Sequence, residues 1–348
     1  MGKLLSANMT DDISKRIKLM SLLCTILVIV IHSFNANLSG IIDYNWYIQT
    51  LLSGALCRIS VPYFFIVSGF LFFYHEKKVM NFQTYSTKIK KRCKNLLLPY
   101  ICMVIPGALI YILFRHANEQ PANWFSTFIA LCITPKISYQ LWFIRDLFIL
   151  CIITPILSYI AYNKFTRHVF PLLLLAYPPI LWYSRWFQGE SLLFFFLGNS
   201  LAYHTKKDRI LQYLPPISIT SLCIALWLFL CCHTLKYNMY YMTLFRNIWG
   251  IVAMWWFLGY GLKKLEKMHL CDLFMRISHY NFYIYIFHEP LLTLLRKSFL
   301  LIFHKNSSVL LLLYIIIPPL NLLFLYIIYR YIIRKMPFPV TFFSGGRF

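Results

Sequence analysis

The chain has 348 residues, of which 59% are apolar and only 13% charged, too few charges to cover a water-soluble body of that length. Its formal charge is +23, but the basic residues fall in short clusters between apolar runs and not on one soluble face, which argues for membrane topology and against a nucleic-acid partner. Lipid is therefore the expected main solvent. The fold class expected is all-α, a polytopic membrane helix bundle with about ten transmembrane helices.

A helix that crosses about 30 Å of hydrocarbon needs roughly 20 mostly apolar residues. Runs of this kind lie near residues 18–36, 51–74, 96–114, 141–161, 168–183, 190–204, 211–232, 244–262, 274–293 and 308–331. The stretch Trp124–Thr134 is also apolar but, at about 11 residues, suits an interfacial segment better than a crossing. If it crossed, every later helix would invert.

Lysine and arginine accumulate in cytoplasmic loops, so they orient the spans. With the N-terminus inside, the inner segments hold Lys15, Arg16 and Lys18, then Lys77 to Lys94, then Lys206, Lys207 and Arg209, then Lys263, Lys264 and Lys267, and last Arg330, Arg334 and Lys335. About 24 of the 34 basic residues then fall inside and about eight outside. Both termini are expected in the cytoplasm, in a bacterial inner membrane. The loop with Arg296, Lys297 and Lys305 fits least well. No repeat of fixed period, Gly/Ser- or Pro-rich linker or long soluble stretch marks a second module, so one membrane domain over 1–348 is expected. Ten cysteines, among them Cys24, Cys57, Cys102, Cys151 and Cys223, sit mainly in apolar stretches without ligand spacing, which implies neither a disulfide framework nor a metal site. No small-residue cleavage site follows the first apolar run, so the first span is expected to stay in the protein.

A charge at mid-bilayer costs at least about 2.5 kcal/mol, so ionisable residues inside apolar runs are candidates for function. Six stand out: His32, Arg58, Arg145, Asp146, His288 and Glu289. His32 lies 14 residues beyond Lys18, a rise of about 21 Å that places it in the outer half of the bilayer. The other five fall at span ends on the same outer side, so four helices are expected to present their ionisable groups at one level. Snorkelling to the outer headgroups is the plain alternative for Arg145 and Asp146. These neighbours differ by about 100° around a helix and are not expected to face the same partner. For His32 the alternative is a core histidine bonded to a carbonyl.

The first run ends in VIVIHS, and Arg58 to Phe73 reads RISVPYFFIVSGFLFF. RCKNLLLPY (Arg92 to Tyr100), LWFIRDL (Leu141 to Leu147), FFFLGNSL (Phe194 to Leu201), SHYNFYIYIFHEPLL (Ser278 to Leu292) and FFSGGR (Phe342 to Arg347) follow. In these segments and their order the chain resembles the acyltransferase-3 family of bacterial membrane acyltransferases, which modify cell-surface glycans, and the segment from Arg58 is similar to that family's most specific motif. One position departs: eleven residues before His32, where members commonly carry Arg, stands Ser21. Either Arg16 or Lys18 substitutes, or cofactor binding is altered.

The resemblance implies transfer of an acyl group, usually acetyl, from coenzyme A to a sugar hydroxyl. Such a reaction needs a base, for which His32 is the candidate, and a donor to the tetrahedral oxyanion, for which Arg58 is the candidate. Arg58 can equally hold donor phosphate or the glycan. Within the basic cluster at Lys88 to Lys94, Arg92 and Lys94 are the expected contacts to acyl-coenzyme A, Arg92 through its bidentate guanidinium. Trp142, Arg145, His288 and Glu289 are the expected acceptor contacts. No metal is expected. The implied partners are membrane lipid, acyl-coenzyme A and a glycan or lipid-linked sugar. A non-catalytic transporter or flippase of lipid-linked glycans is the competing function, because intramembrane charges would line its path too. Paired inverted halves with interrupted helices would favour it, and none is visible in the sequence.

Overall fold

The computed structural model describes residues 9–115, 123–176, 189–204, 206–237, 239–331 and 335. Among them every regular element is helical. The described residues divide into two compact units, one formed by those up to residue 64 with those from 206 onward, the other by those between 65 and 204.

In the first unit, α1 (Asp11–His32) starts with Asp11 and Asp12, which suit the positive end of the helix dipole. Those carboxylates also pair with Lys15 at 2.7 Å and Arg16 at 2.8 Å. The α2 helix (Tyr44–Gly54) is capped by Asp43, whose carboxylate accepts from the amides of Asn45 and Trp46. A hydrogen bond with Ser307 holds the Asp43 carboxyl below its usual range. A 3₁₀ turn, Leu56–Ile59, then leads into α3 (Ser60–Phe73), whose first residues belong to this unit. The unit is completed by α11 (Lys207–Gln212), α12 (Ile217–Lys236), α13 (Tyr240–Lys267), α14 (Cys271–Ser278), α15 (Asn281–Ile302) and α16 (Ser307–Tyr331). Its core joins Ile29 of α1 to Tyr283, Ile284 and Leu292 of α15 and to Leu313, Ile317 and Leu325 of α16. This core holds the inner faces of three helices together at the level where α1 ends.

The second unit contains the rest of α3, then α4 (Phe82–Arg92), α5 (Leu98–Arg115), α6 (Trp124–Ile133), α7 (Trp142–Ile152), α8 (Thr154–Tyr162), α9 (Lys164–Ala176) and α10 (Gly189–Ala202). Two of its joints follow from proline. Pro99 has no amide to give the carbonyl of Asn95, and the chain between α4 and α5 adopts a π turn at Cys93–Leu97. Pro155 likewise cannot serve the Cys151 carbonyl, which accepts from the Thr154 hydroxyl at 2.7 Å instead, and α7 and α8 meet at 63°.

Among the described residues five helical stretches are long and apolar enough to cross a membrane, or six if the bent α7–α8 pair is one crossing. Ten is not confirmed. The expected span 141–161 is broken, and that at 190–204 is a 14-residue helix. The span expected at 274–293 straddles the break between α14 and α15, and the latter carries Glu289, Arg296 and Lys297. Residues 177–183 of another expected span lie outside the described residues, as does the Phe342 to Arg347 motif. The α6 helix, with ten residues, is too short to cross. Exposed Leu222 and Phe229 on α12 and Leu312, Ile315 and Leu323 on α16 would be costly in water. The chain is a multi-pass membrane protein.

Candidate active site

The first unit gathers His32, His288 and Glu289. His32 is the last residue of α1, whereas His288 and Glu289 lie within α15. The two imidazole centres are 5.2 Å apart, with planes tilted by 48°. Ligating atoms of all three side chains lie within 4.8 Å of one another. His288 and Glu289 are buried and His32 is half-buried. Two imidazoles and a carboxylate at this spacing can take up and hand on a proton, and the same atoms are of the kinds that ligate divalent cations.

The supports of this group come from the helices themselves. His288 Nδ1 lies 2.7 Å from the Tyr285 carbonyl, and the His288 carbonyl accepts from the buried amide of Asn321 on α16 at 2.9 Å. Glu289 Oε1 accepts from the Thr293 hydroxyl at 2.9 Å. Pro290 follows directly, and its missing amide takes the helical donor from the Ile286 carbonyl. The α15 helix is therefore held at this site by side chains where its own ladder is weakened.

Arg58 is placed by a short chain of bonds. Its Nε donates to the Ser53 carbonyl at 3.0 Å. The Ser53 hydroxyl in turn bonds the Val30 carbonyl of α1 at 3.0 Å and shares a hydrogen bond with the Tyr314 hydroxyl of α16 at 2.8 Å. Arg58 and Arg296 both act electrostatically on the His32 ring. Arg58 lies in the 3₁₀ turn inside the candidate crossing Tyr44–Phe73 and is exposed there.

The position of Ser21 is buried in α1. Arg16, five residues earlier, is 2% exposed, pairs with Asp12 and reaches the Leu211 carbonyl at 3.4 Å. Gly259 makes room for it, since a Cβ there would lie 2.9 Å from Arg16 Nη1. Arg16 is thus packed within the first unit near the start of α1.

The remaining expected contacts lie in the second unit. Trp142 packs near Phe65 and Phe143, with ring centres 6.4 and 6.5 Å away. Arg145 donates through Nε and Nη2 to the buried Asp146 carboxylate at 2.8 and 2.7 Å and through Nη1 to the Ile133 carbonyl at 2.8 Å. The two neighbours are thus joined to each other, with Arg145 also reaching the Ile133 carbonyl. Much of the Arg145 fork is thereby committed within the protein. Arg92 ends α4 at the π turn, half-buried, with its guanidinium 5.5 Å from the centre of the Phe72 ring. Lys94 is exposed. Their neighbour Lys88 is taken up by the Glu76 carboxylate at 2.6 Å.

Sequence reading missed Arg246. It is 3% exposed in α13 and donates to Thr234 Oγ1 at 2.8 Å and to Asn247 Oδ1 at 3.1 Å. Its place near the start of an apolar run was the available signal, but the neutral partners that sheathe it are set only by folding. The supporting roles of Ser53, Thr293 and Asn321 were equally out of reach.

A family model described as an acyltransferase domain matches residues 15–339. The chain is similar to the succinoglycan biosynthesis protein ExoH of Rhizobium meliloti (strain 1021), with 25% identity over 319 residues that cover 82% of this chain and 80% of that protein. No solved structure matches.

Proposed function

The chain belongs to the acyltransferase family that this model describes, and from that premise we propose that it moves an acyl group, acetyl, from acyl-coenzyme A to a hydroxyl of a cell-surface or lipid-linked glycan. The observation that carries the reading is the cluster of His32, His288 and Glu289 inside the first unit of a membrane-spanning family member. The relative's name, a protein of succinoglycan biosynthesis, supports a glycan acceptor.

In this reading His32 takes the hydroxyl proton as the oxygen attacks the thioester carbonyl. The carbon–sulfur bond breaks, and the imidazolium returns the proton to the departing thiolate. Arg58, whose charge reaches the His32 ring, stabilises the oxyanion. Arg92 and Lys94 bind the phosphates of the donor at the cytoplasmic face of an inner membrane. Trp142, with Arg145, His288 and Glu289, belongs to the acceptor path. The transporter reading has no comparable support, since the family's chemistry is transfer.

Mass spectrometry of envelope glycans from cells with and without the gene tests the proposal. A loss of one acetyl unit per repeat is expected on deletion. Identical glycans, or loss of whole sugar units from the surface with acylation intact, would overturn it. Arg58→Lys, measured in the same way, is expected to lose most acylation, because a point charge does not reproduce a planar fork of five donors.

A further inference from the structure

His288 is fully buried, yet only one of its ring nitrogens has a use in the described structure. Nδ1 lies 2.7 Å from the Tyr285 carbonyl, and a carbonyl only accepts, so Nδ1 must carry the proton. In the neutral ring Nε2 is then a bare lone pair. It is buried without any hydrogen-bond partner. Leaving a buried acceptor unsatisfied costs on the order of 1–3 kcal/mol, so a lone pair fixed in this way calls for a donor that arrives in the working state.

The surroundings narrow the choice of donor. Backbone carbonyls only accept, and so does Glu289 in its ionised form. Arg58 and Arg296 are donors, and the bonds the structure gives them run from Arg58 Nε to the Ser53 carbonyl at 3.0 Å and from Arg296 Nη1 to the Phe34 carbonyl at 3.5 Å. The ring beside His288 is that of His32, 5.2 Å away between centres, with the ligating atoms of the pair inside 4.8 Å. His32 is the last residue of α1 and half-buried, whereas His288 is fully buried within α15.

We propose that His288 is a positioning residue: its Nε2 accepts the ring N–H of His32 during turnover, which fixes the His32 tautomer with the other nitrogen's lone pair toward the acceptor hydroxyl. The inference rests on the acyl-transfer reading given above. It assigns the two imidazoles different duties: His32, the more exposed, meets the substrate, and His288 behind it sets which nitrogen does so. Proton balance is unchanged, because His288 takes no proton of its own and the one received by His32 leaves with the thiolate. A divalent cation bridging His32, His288 and Glu289 would use the same lone pair, but the nearby charges of Arg58 and Arg296 exceed the single carboxylate and oppose it.

The test uses the purified full-length protein with labelled acetyl-coenzyme A and envelope glycans extracted from cells lacking the gene. His288→Leu removes the acceptor and His288→Gln keeps one. An orienting partner of a functional histidine is worth about 10- to 100-fold, so His288→Leu should lose that much kcat while KM for acetyl-coenzyme A stays within about twofold. His288→Gln should recover a substantial part. Equal losses in the two variants, or full activity of His288→Leu, overturn the proposal, as does about one bound metal ion per chain in the wild-type protein that His288→Leu lacks. If the leucine variant is not monodisperse, His288→Met replaces it as the unbranched side chain without a strong acceptor. Should the wild-type protein itself transfer no label, it is the acyl-transfer reading that fails, so the two failures are told apart.

Discussion

His32 ends its helix with an imidazole beside two other ionisable groups, His288 and Glu289. A positioned base contributes about 10²- to 10⁴-fold to turnover, and His32→Ala should lose acetyl transfer by a factor in that range. Donor binding should survive, because the proposed phosphate contacts, Arg92 and Lys94, belong to a different part of the chain. Binding of acetyl-coenzyme A to the purified variant, followed by calorimetry, is expected within a few-fold of wild type. A collapse of donor affinity would mean that the histidine serves binding or folding. His32, His288 and Glu289 were legible in the sequence because an isolated ionisable residue in an apolar run is conspicuous. Their supports were not. Ser53, Thr293 and Asn321 look like ordinary small polar residues until the fold sets Ser53 against Val30 and Tyr314, and Asn321 against the carbonyl of His288.

At the level of helices, the sequence showed where apolar segments lie but not where they break. A hydropathy reading runs through Pro155 and Pro99, although each removes a backbone donor and bends or rewinds the chain. The contact of α3 with α10 was also hidden. A Cβ on Gly69 would run into the Phe195 backbone, and one on Gly198 into the backbone of Ile66. Each glycine therefore makes room for the opposite helix, the close approach that small residues allow between helices in lipid. Overpacking such a contact costs about 1–3 kcal/mol. Gly69→Ala and Gly198→Ala should each lower the thermal midpoint of the purified protein in detergent. The double variant should lose less than the sum, because one separation of the helices relieves both clashes. A variant as stable as wild type would show that the two helices do not pack this closely.

For the whole molecule, the solvent was the easiest thing to read and the crossing count the hardest. So many exposed leucines, isoleucines and phenylalanines need lipid. The count depends on whether a helix such as α13, 28 residues long with buried Arg246 and Asn247, crosses as well. Its length is ample, since 28 residues rise about 42 Å, and its polar side chains bond to each other and to Thr234, which lessens their cost in lipid. Composition alone cannot register that pairing, so helices with internal polar contacts escape a hydropathy threshold. Orientation rests on a different signal, the excess of basic residues, which is insensitive to such pairing. On that signal we propose that the segment Lys77 to Lys94, including α4 with its exposed Lys91, lies on the same side of the membrane as the C-terminus. Alkaline phosphatase and fluorescent-protein fusions at residue 85 and at the C-terminus should therefore report the same, cytoplasmic, side. Opposite sides would require an odd number of crossings after residue 85, for which the ten-residue α6 is the first segment to reconsider, and would end the common outer level expected for His32, Arg58, Arg145, Asp146, His288 and Glu289.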